Sequence, residues 1–212
     1  MLKRLLDIVA ASLGLLLLSP LFAVIAVLVK CGSSGSVLFR HERIGKGFRP
    51  FGVLKFRTMV QDAPKLGGPI TCGDDPRITS IGRLLRKLKL DELPQLFNVL
   101  VGDMSLVGPR PEVRRYVEMF REDYEVILQV RPGITDLASI KYRDEATILG
   151  KAANPEEEYV RVVLPEKIRL AKQYVARRSL RLDLAILFGT LACLACNRAP
   201  RPSSHNGVQE GL

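Results

Sequence analysis

Tryptophan is absent from this 212-residue sequence, and aromatic residues make up only 6% of it. Nucleic-acid modules stack bases on aromatic side chains set among cations, so this composition argues against a nucleic-acid partner despite a formal net charge of +10. Histidine is scarce: His41 and His205 stand alone and read as surface residues. No Walker-type or GxGxxG pattern occurs, so a nucleotide would have to be held by other means. The cysteines Cys31, Cys72, Cys193 and Cys196 have no histidine or second close pair beside them. Cys193-x-x-Cys196 lies in an apolar run, which suits inert reduced thiols on a helix rather than a zinc or redox centre.

Charge is missing altogether from Ile8 to Val29, between Lys3-Arg4 and Lys30. At about 1.5 Å per helical residue this run could just cross a hydrocarbon core of about 30 Å. A simple spanning helix is one reading. Ser19-Pro20 interrupts the run, however, and positive charge at both ends removes the asymmetry that orients a span. A kinked re-entrant helix that enters and leaves on one face satisfies both facts. Lys30 before Cys31, and the lack of a small-x-small site, disfavour a cleaved signal peptide.

What is plentiful is apolar and basic residues together: 47% of the chain is hydrophobic. That pairing points to an anionic membrane surface or a phosphate-rich substrate. The length suits one catalytic-sized domain plus an accessory segment.

Val37–Ile44 and Phe51–Arg57 flank Gly45-Lys46-Gly47 and predict a β-hairpin. Period-two alternation puts Lys55 and Arg57 on one face, as a phosphate clamp or a solvated strand face. Residues 60–76, rich in Gly, Pro and Asp, read as a loop leading to Arg77-Ile78-Thr79. From Ile81 the pattern is helical, with Ile81, Leu84, Leu85 and Leu88 on one side and Arg83, Arg86 and Lys87 on the other. Such a helix can lie in an anionic headgroup layer.

The most concentrated chemistry follows. Pro94 predicts a helix beginning near Asp91-Glu92 and running through Leu100, which places two carboxylates at a helix start where the dipole favours an ionised Asp91. An ionised carboxylate can attack phosphorus; simple capping is the plainer alternative. Arg110 sits between Pro109 and Pro111, a stiffened guanidinium with room for a cis X-Pro bond. Beyond it the sequence predicts a helix over 111–128, an extended piece from Gly133 through Ile140, and a helix start at Asn154-Pro155. A further helix is expected from Leu164-Pro165 to Arg178, then an apolar helix over 180–196 and a disordered tail over 197–212.

Several motifs together resemble the bacterial sugar transferase family of small monotopic phosphoglycosyl transferases. They are Lys55-Phe56-Arg57-Thr58-Met59, Asp75-Pro76-Arg77-Ile78-Thr79, Leu90-Asp91-Glu92-Leu93-Pro94-Gln95-Leu96, Gly102-Asp103-Met104-Ser105-Leu106-Val107-Gly108-Pro109-Arg110-Pro111 and Arg131-Pro132-Gly133-Ile134-Thr135. The likeness reaches from Lys3-Arg4 and Asp7, through Ser19-Pro20, to Ser179 and Asp183.

The resemblance implies transfer of sugar-1-phosphate from a UDP-sugar to a polyprenyl phosphate, with Asp91 as nucleophile and UMP as leaving group. Glu92 would assist as general base or metal neighbour, and Asp91 would share one Mg²⁺ with the diphosphate. Lys55, Arg57, Arg77, Arg86 and Arg110 fall at positions expected to touch phosphates or steady the acid pair.

The fold implied is α-rich α/β and monotopic, with the re-entrant helix at 1–30 and the catalytic domain at 31–196 on the cytoplasmic face of the bacterial inner membrane. Anionic lipids would be partners; the sugar and the oligomeric state stay open. Lys89, Asp136 and Ser139 depart from the family's usual residues, at positions expected not to touch the acid pair. The rival reading is a non-catalytic membrane-attached module whose basic helices bind anionic lipid or polyanion.

Overall fold

The computed structural model describes residues 1–66, 71 and 75–196; the expectations for Cys72, for His205 and for the tail over 197–212 lie outside the described residues. The first element, α1 (Leu2–Gly32), stays helical through Ser19-Pro20. Pro20 has no N–H to offer the Leu16 carbonyl, and the Ser19 hydroxyl donates to that carbonyl instead, at 2.8 Å. By length and composition α1 could cross a membrane.

Both ends of α1 are tied to the rest of the chain. At its start Lys3 pairs with Asp183 at 2.6 Å, Arg4 donates to the carbonyls of Val99 and Leu100, and buried Asp7 accepts from Ser105 Oγ and the Leu106 N–H. At its far end the Arg57 guanidinium donates to the carbonyls of Val29 and Ser33. Ala11, Ile25 and Val29 face inward, while Leu13, Leu16, Leu17, Val24 and Val27 are exposed on the outer face.

The hairpin forms as expected, from β1 (Leu38–Ile44) and β2 (Pro50–Phe56), paired antiparallel with Leu38 opposite Phe56. Its tip is a single 3-10 turn, Lys46–Phe48, in which Gly47 and Phe48 both adopt positive φ. Within the loop of 60–76 a short α2 (Ala63–Leu66) appears. The helix α3 (Ser80–Lys87) is capped by Thr79, whose hydroxyl accepts from the Gly82 N–H at 3.0 Å. Ile81 and Leu85 pack inward with Phe56, Ile25 and Val29. Leu84 and Leu88 stay exposed, so the expected four-residue apolar face divides between core and surface.

After α4 (Gln95–Val101) the chain turns at Gly102, whose φ of 104° suits glycine, into β3 (Ser105–Val107). Two helices, α5 (Arg114–Met119) and α6 (Arg121–Ile127), replace the single helix expected over 111–128, because Phe120 leaves helical geometry at φ −119°, ψ 42°. Next, β4 (Gly133–Thr135) pairs parallel with β3.

The expected extended piece stops at Thr135: Asp136 caps α7 (Leu137–Lys141) by accepting from the Ser139 N–H at 2.6 Å. After α8 (Glu145–Leu149), Asn154 caps α9 (Pro155–Glu158) as expected. A π turn over Tyr159–Val163 joins α9 to α10 (Leu164–Arg177), and α11 (Leu180–Cys196) closes the described fold. Tyr116, Tyr124, Tyr159, Leu164 and Ile168 build the core beneath the C-terminal helices; Val53, Val99 and Met104 join Ala11 beneath α1.

Candidate active site

The acid pair does not open α4. Leu90–Glu92 form a separate 3-10 turn, and Pro94 stands as the residue before the helix proper. A proline cannot donate a hydrogen bond, and the α-helical ladder therefore starts after it. Consequently the dipole of α4 does not set the state of Asp91, contrary to the expectation from sequence. Asp91 is buried, its Oδ1 meets no hydrogen-bond partner, and burial pushes its carboxyl above the ordinary range; Lys55 and Arg86 oppose that shift.

Glu92 is in the reverse situation. Lys55 Nζ donates to Oε1 at 2.7 Å, and Arg110 forks onto both oxygens, reaching Oε2 at 3.2 Å. Burial by itself would raise this carboxyl, but Arg110 and Lys55 hold it well below the ordinary range. The same contact raises the Arg110 guanidinium further.

Arg110 is placed from two directions. Pro109 and Pro111 flank it with trans bonds, there being no cis peptide among the described residues, so the cis bond allowed for by the sequence does not occur. Its backbone N–H donates to Asp136 Oδ2 at 3.1 Å. Asp136, 3% exposed, thereby ties α7 to the arginine turn. Behind the turn Gly108 and Gly133 pass so closely that a Cβ on Gly133 would lie 2.1 Å from the Gly108 nitrogen.

Arg57, Arg77 and Arg86, the other cations expected at the site, all line the cleft but differ in their bonds. Arg86 joins the pair's surroundings, its Nε bonded to Thr58 Oγ1 at 2.8 Å, and its charge couples with Asp91. Arg57 instead points to the end of α1, with Nε and Nη1 buried and unpartnered. Strand alternation put Lys55 and Arg57 on one face; their contacts put them to different uses. Arg77 is chelated by Asp75, at 2.6 Å to Oδ2. Ser19 and Pro20 lie exposed on α1.

A cleft of about 1570 Å³ opens over the acid pair, lined by Lys55, Arg86, Lys89, Asp91, Glu92 and Arg110 among others. Lys89, Asp136 and Ser139 belong to this wall, closer to the chemistry than the sequence suggested; Ser139 Oγ is buried there without a partner. The Asp136-x-x-Ser139 spacing of a helix cap was the available signal for one of them. His41 is also part of the wall, not a plain surface residue: burial, with Arg43 and Lys55 nearby, pushes its imidazole down to about 4. Cys31 and Cys193 are free thiols.

Among the described residues no group of three or more His, Cys, Asp or Glu gathers to hold a metal. The cleft thus offers one unengaged buried carboxylate oxygen, a second carboxylate locked as an anion, and a ring of cations, a set suited to phosphoryl chemistry.

Comparison with known proteins gives a consistent result. The chain matches the profile described as Bacterial sugar transferase over residues 1–197. It is 41% identical over 192 residues to UDP-N-acetylgalactosamine-undecaprenyl-phosphate N-acetylgalactosaminephosphotransferase of Aeromonas hydrophila, covering 89% of this chain and 42% of that protein. It is 37% identical over 213 residues to exopolysaccharide production protein ExoY of Rhizobium meliloti, covering 93% of this chain and 87% of the relative. Against UDP-glucose:undecaprenyl-phosphate glucose-1-phosphate transferase of Escherichia coli K12 the identity is 40% over 196 residues, with 90% and 39% covered. The chain therefore spans less than half of the Aeromonas and Escherichia relatives and most of the rhizobial one.

Proposed function

Because the chain belongs to the bacterial sugar transferase family, we propose that it transfers sugar-1-phosphate from a UDP-sugar to polyprenyl phosphate, releasing UMP, at the start of exopolysaccharide or related glycoconjugate assembly. Relatives named for UDP-sugars and undecaprenyl phosphate support the choice of donor and acceptor. The observation that carries the chemistry is Asp91, buried at the cleft with an unpartnered Oδ1 and cations around it.

In this reading the Asp91 carboxylate attacks the phosphorus that bears the sugar. A carboxylate–phosphorus bond forms, the diphosphate bridge breaks, and UMP leaves with the bonding pair. A phosphate oxygen of the lipid then attacks the same phosphorus, Asp91 departs as a carboxylate, and a polyprenyl diphosphosugar results. Neither step requires a proton to be removed, since both nucleophiles are anions. Glu92, held ionised by Lys55 and Arg110, accordingly serves to orient those two cations toward phosphoryl oxygens.

Mg²⁺ fits this residue set, because it is commonly held by one or two carboxylates plus substrate phosphates and Asp91 Oδ1 has no protein partner. Asp91 would hold it. Once bound, the ion would neutralise diphosphate charge.

The membrane part of the reading rests on α1. Its two ends are fastened to one domain while its outer face is apolar and exposed, which suits a helix that dips into one leaflet, bent at Ser19-Pro20, better than one with ends on opposite sides. The catalytic domain would then lie on the cytoplasmic face of the bacterial inner membrane, with anionic lipids beneath its basic surfaces.

The test is UMP release by the full chain in detergent or membranes, given Mg²⁺, polyprenyl phosphate and a panel of UDP-sugars. Release with at least one donor is expected, and none with any donor would overturn the proposal. Isolation of a phosphosugar on Asp91 when lipid is withheld separates the two-step route from direct displacement.

A further inference from the structure

Positive charge around the acid pair exceeds what its carboxylates need. Lys55, Arg86, Lys89 and Arg110 surround Asp91 and Glu92, and with Asp136 counted beside Arg110 one cation is left over. Three of the four are engaged within the protein: Lys55 and Arg110 grip Glu92, and Arg86 bonds Thr58. Lys89 differs. It lines the same cleft and lies within electrostatic reach of Glu92, Arg110, Asp91 and Lys55. Among the described residues no hydrogen bond or ion pair engages its ammonium.

The backbone sets this position. At the end of α3 the Lys89 N–H donates to the Arg86 carbonyl at 3.2 Å, and its φ of 57° turns the chain left-handed into the 3-10 turn of the acid pair. Glycine or asparagine would adopt that conformation with less strain, so the lysine stands against the local backbone preference.

We propose that Lys89 is a further catalytic residue, whose ammonium binds the diphosphate of the nucleotide sugar and stabilises the charge that collects on the departing UMP. Resting on the functional reading above, this assignment gives the surplus positive charge a purpose: a nucleoside diphosphate sugar brings about two negative charges, and without Lys89 the site has no cation in excess of its own carboxylates. Lys55 and Arg110 share their charge with Glu92, and Arg86 with Asp91. Lys89 is available from the outset.

Lys89→Asn tests this directly, because asparagine tolerates the left-handed backbone while removing the charge. With full chain in detergent, UMP binding by calorimetry and UMP release from UDP-glucose and UDP-N-acetylgalactosamine are measured beside thermal melting. The expected result is UMP affinity weakened about tenfold or more, the size of a lost charge-assisted contact, with a matching fall in kcat/KM. Melting should not fall, since the backbone strain is relieved, and Lys89→Arg should recover most of the loss. Lys89→Gly serves as the second charge-free variant should the asparagine variant fold poorly. UMP affinity and kcat/KM within twofold of wild type in either folded, charge-free variant would overturn the role of Lys89. Wild-type protein that neither binds UMP nor releases it would instead overturn the functional reading itself.

Discussion

Asp91 and Glu92 are consecutive in the chain and held in opposite electrostatic states. Glu92 is clasped by Lys55 and Arg110 and stays ionised far into acid, whereas Asp91 keeps an unpartnered oxygen in a buried site that resists its charge. Separation of two neighbouring carboxyls in this way is how paired acids come to do different work. Here it leaves Asp91 as the reactive member.

Asp91→Asn should lower UMP release by roughly 10⁴-fold or more, the scale of losing a covalent nucleophile. It should also stabilise the fold. A carboxyl whose folded pKa is raised contributes favourably below its ordinary value of 3.8, and that contribution is lost as pH rises through the folded value. Melting of metal-free protein should therefore favour the asparagine variant at pH 7 and show little difference near pH 3.

Glu92→Gln removes the shared anion and leaves Lys55 and Arg110 facing each other. With the Glu92 side chain only 15% exposed, a loss of about 3 kcal/mol in urea unfolding is expected. The sign with pH is the reverse of that for Asp91. Because its folded pKa is depressed, the stability Glu92 supplies is present above its ordinary 4.5 and disappears as pH falls through the folded value. The gap between wild type and variant should narrow in acid accordingly.

Gly133→Ala would place a methyl 2.1 Å from the Gly108 nitrogen, against backbone that cannot step aside. The turn carrying Arg110 has to move. UMP release should drop by about 10²-fold, as a displacement near 1 Å does in a positioned site, while membrane association is retained.

Asp7→Ala strips the partners from the buried Ser105 Oγ and from the half-buried Leu106 N–H. About 2 kcal/mol of stability should be lost, with faster hydrogen exchange in the first turns of α1. Topology can be read on a tagged chain in which Cys72, Cys193 and Cys196 are replaced by Ser: the N-terminal tag and the exposed Cys31 should be labelled from the same side of the membrane. Labelling from opposite sides would establish a span.

Local chemistry was legible wherever the deciding groups lie within a few residues. The hairpin followed from alternation around Gly45-Lys46-Gly47, and the cap at Asn154 from amide chemistry at a helix start. The break at Phe120 was not legible, since one long helix satisfies the same local pattern until packing intervenes, and at Asp136 the cap spacing was the one local sign that the strand ends. Arg57 shows the limit most clearly. Nothing in Lys55-Phe56-Arg57 reveals that one cation turns to Glu92 and the other to the end of α1.

By itself, the sequence determined the hairpin, the helices over 164–178 and 180–196, the apolar first segment and the ordered motifs that mark the family, because propensity, periodicity and capping act over short stretches. Tertiary structure alone decided the fate of the charges. Lys55 reaches Glu92 across 37 positions and Arg110 reaches it across 18, and burial withholds the water that would otherwise level both carboxyls to ordinary values. A carboxyl's charge state is a property of its surroundings, and those surroundings exist only once the chain has folded.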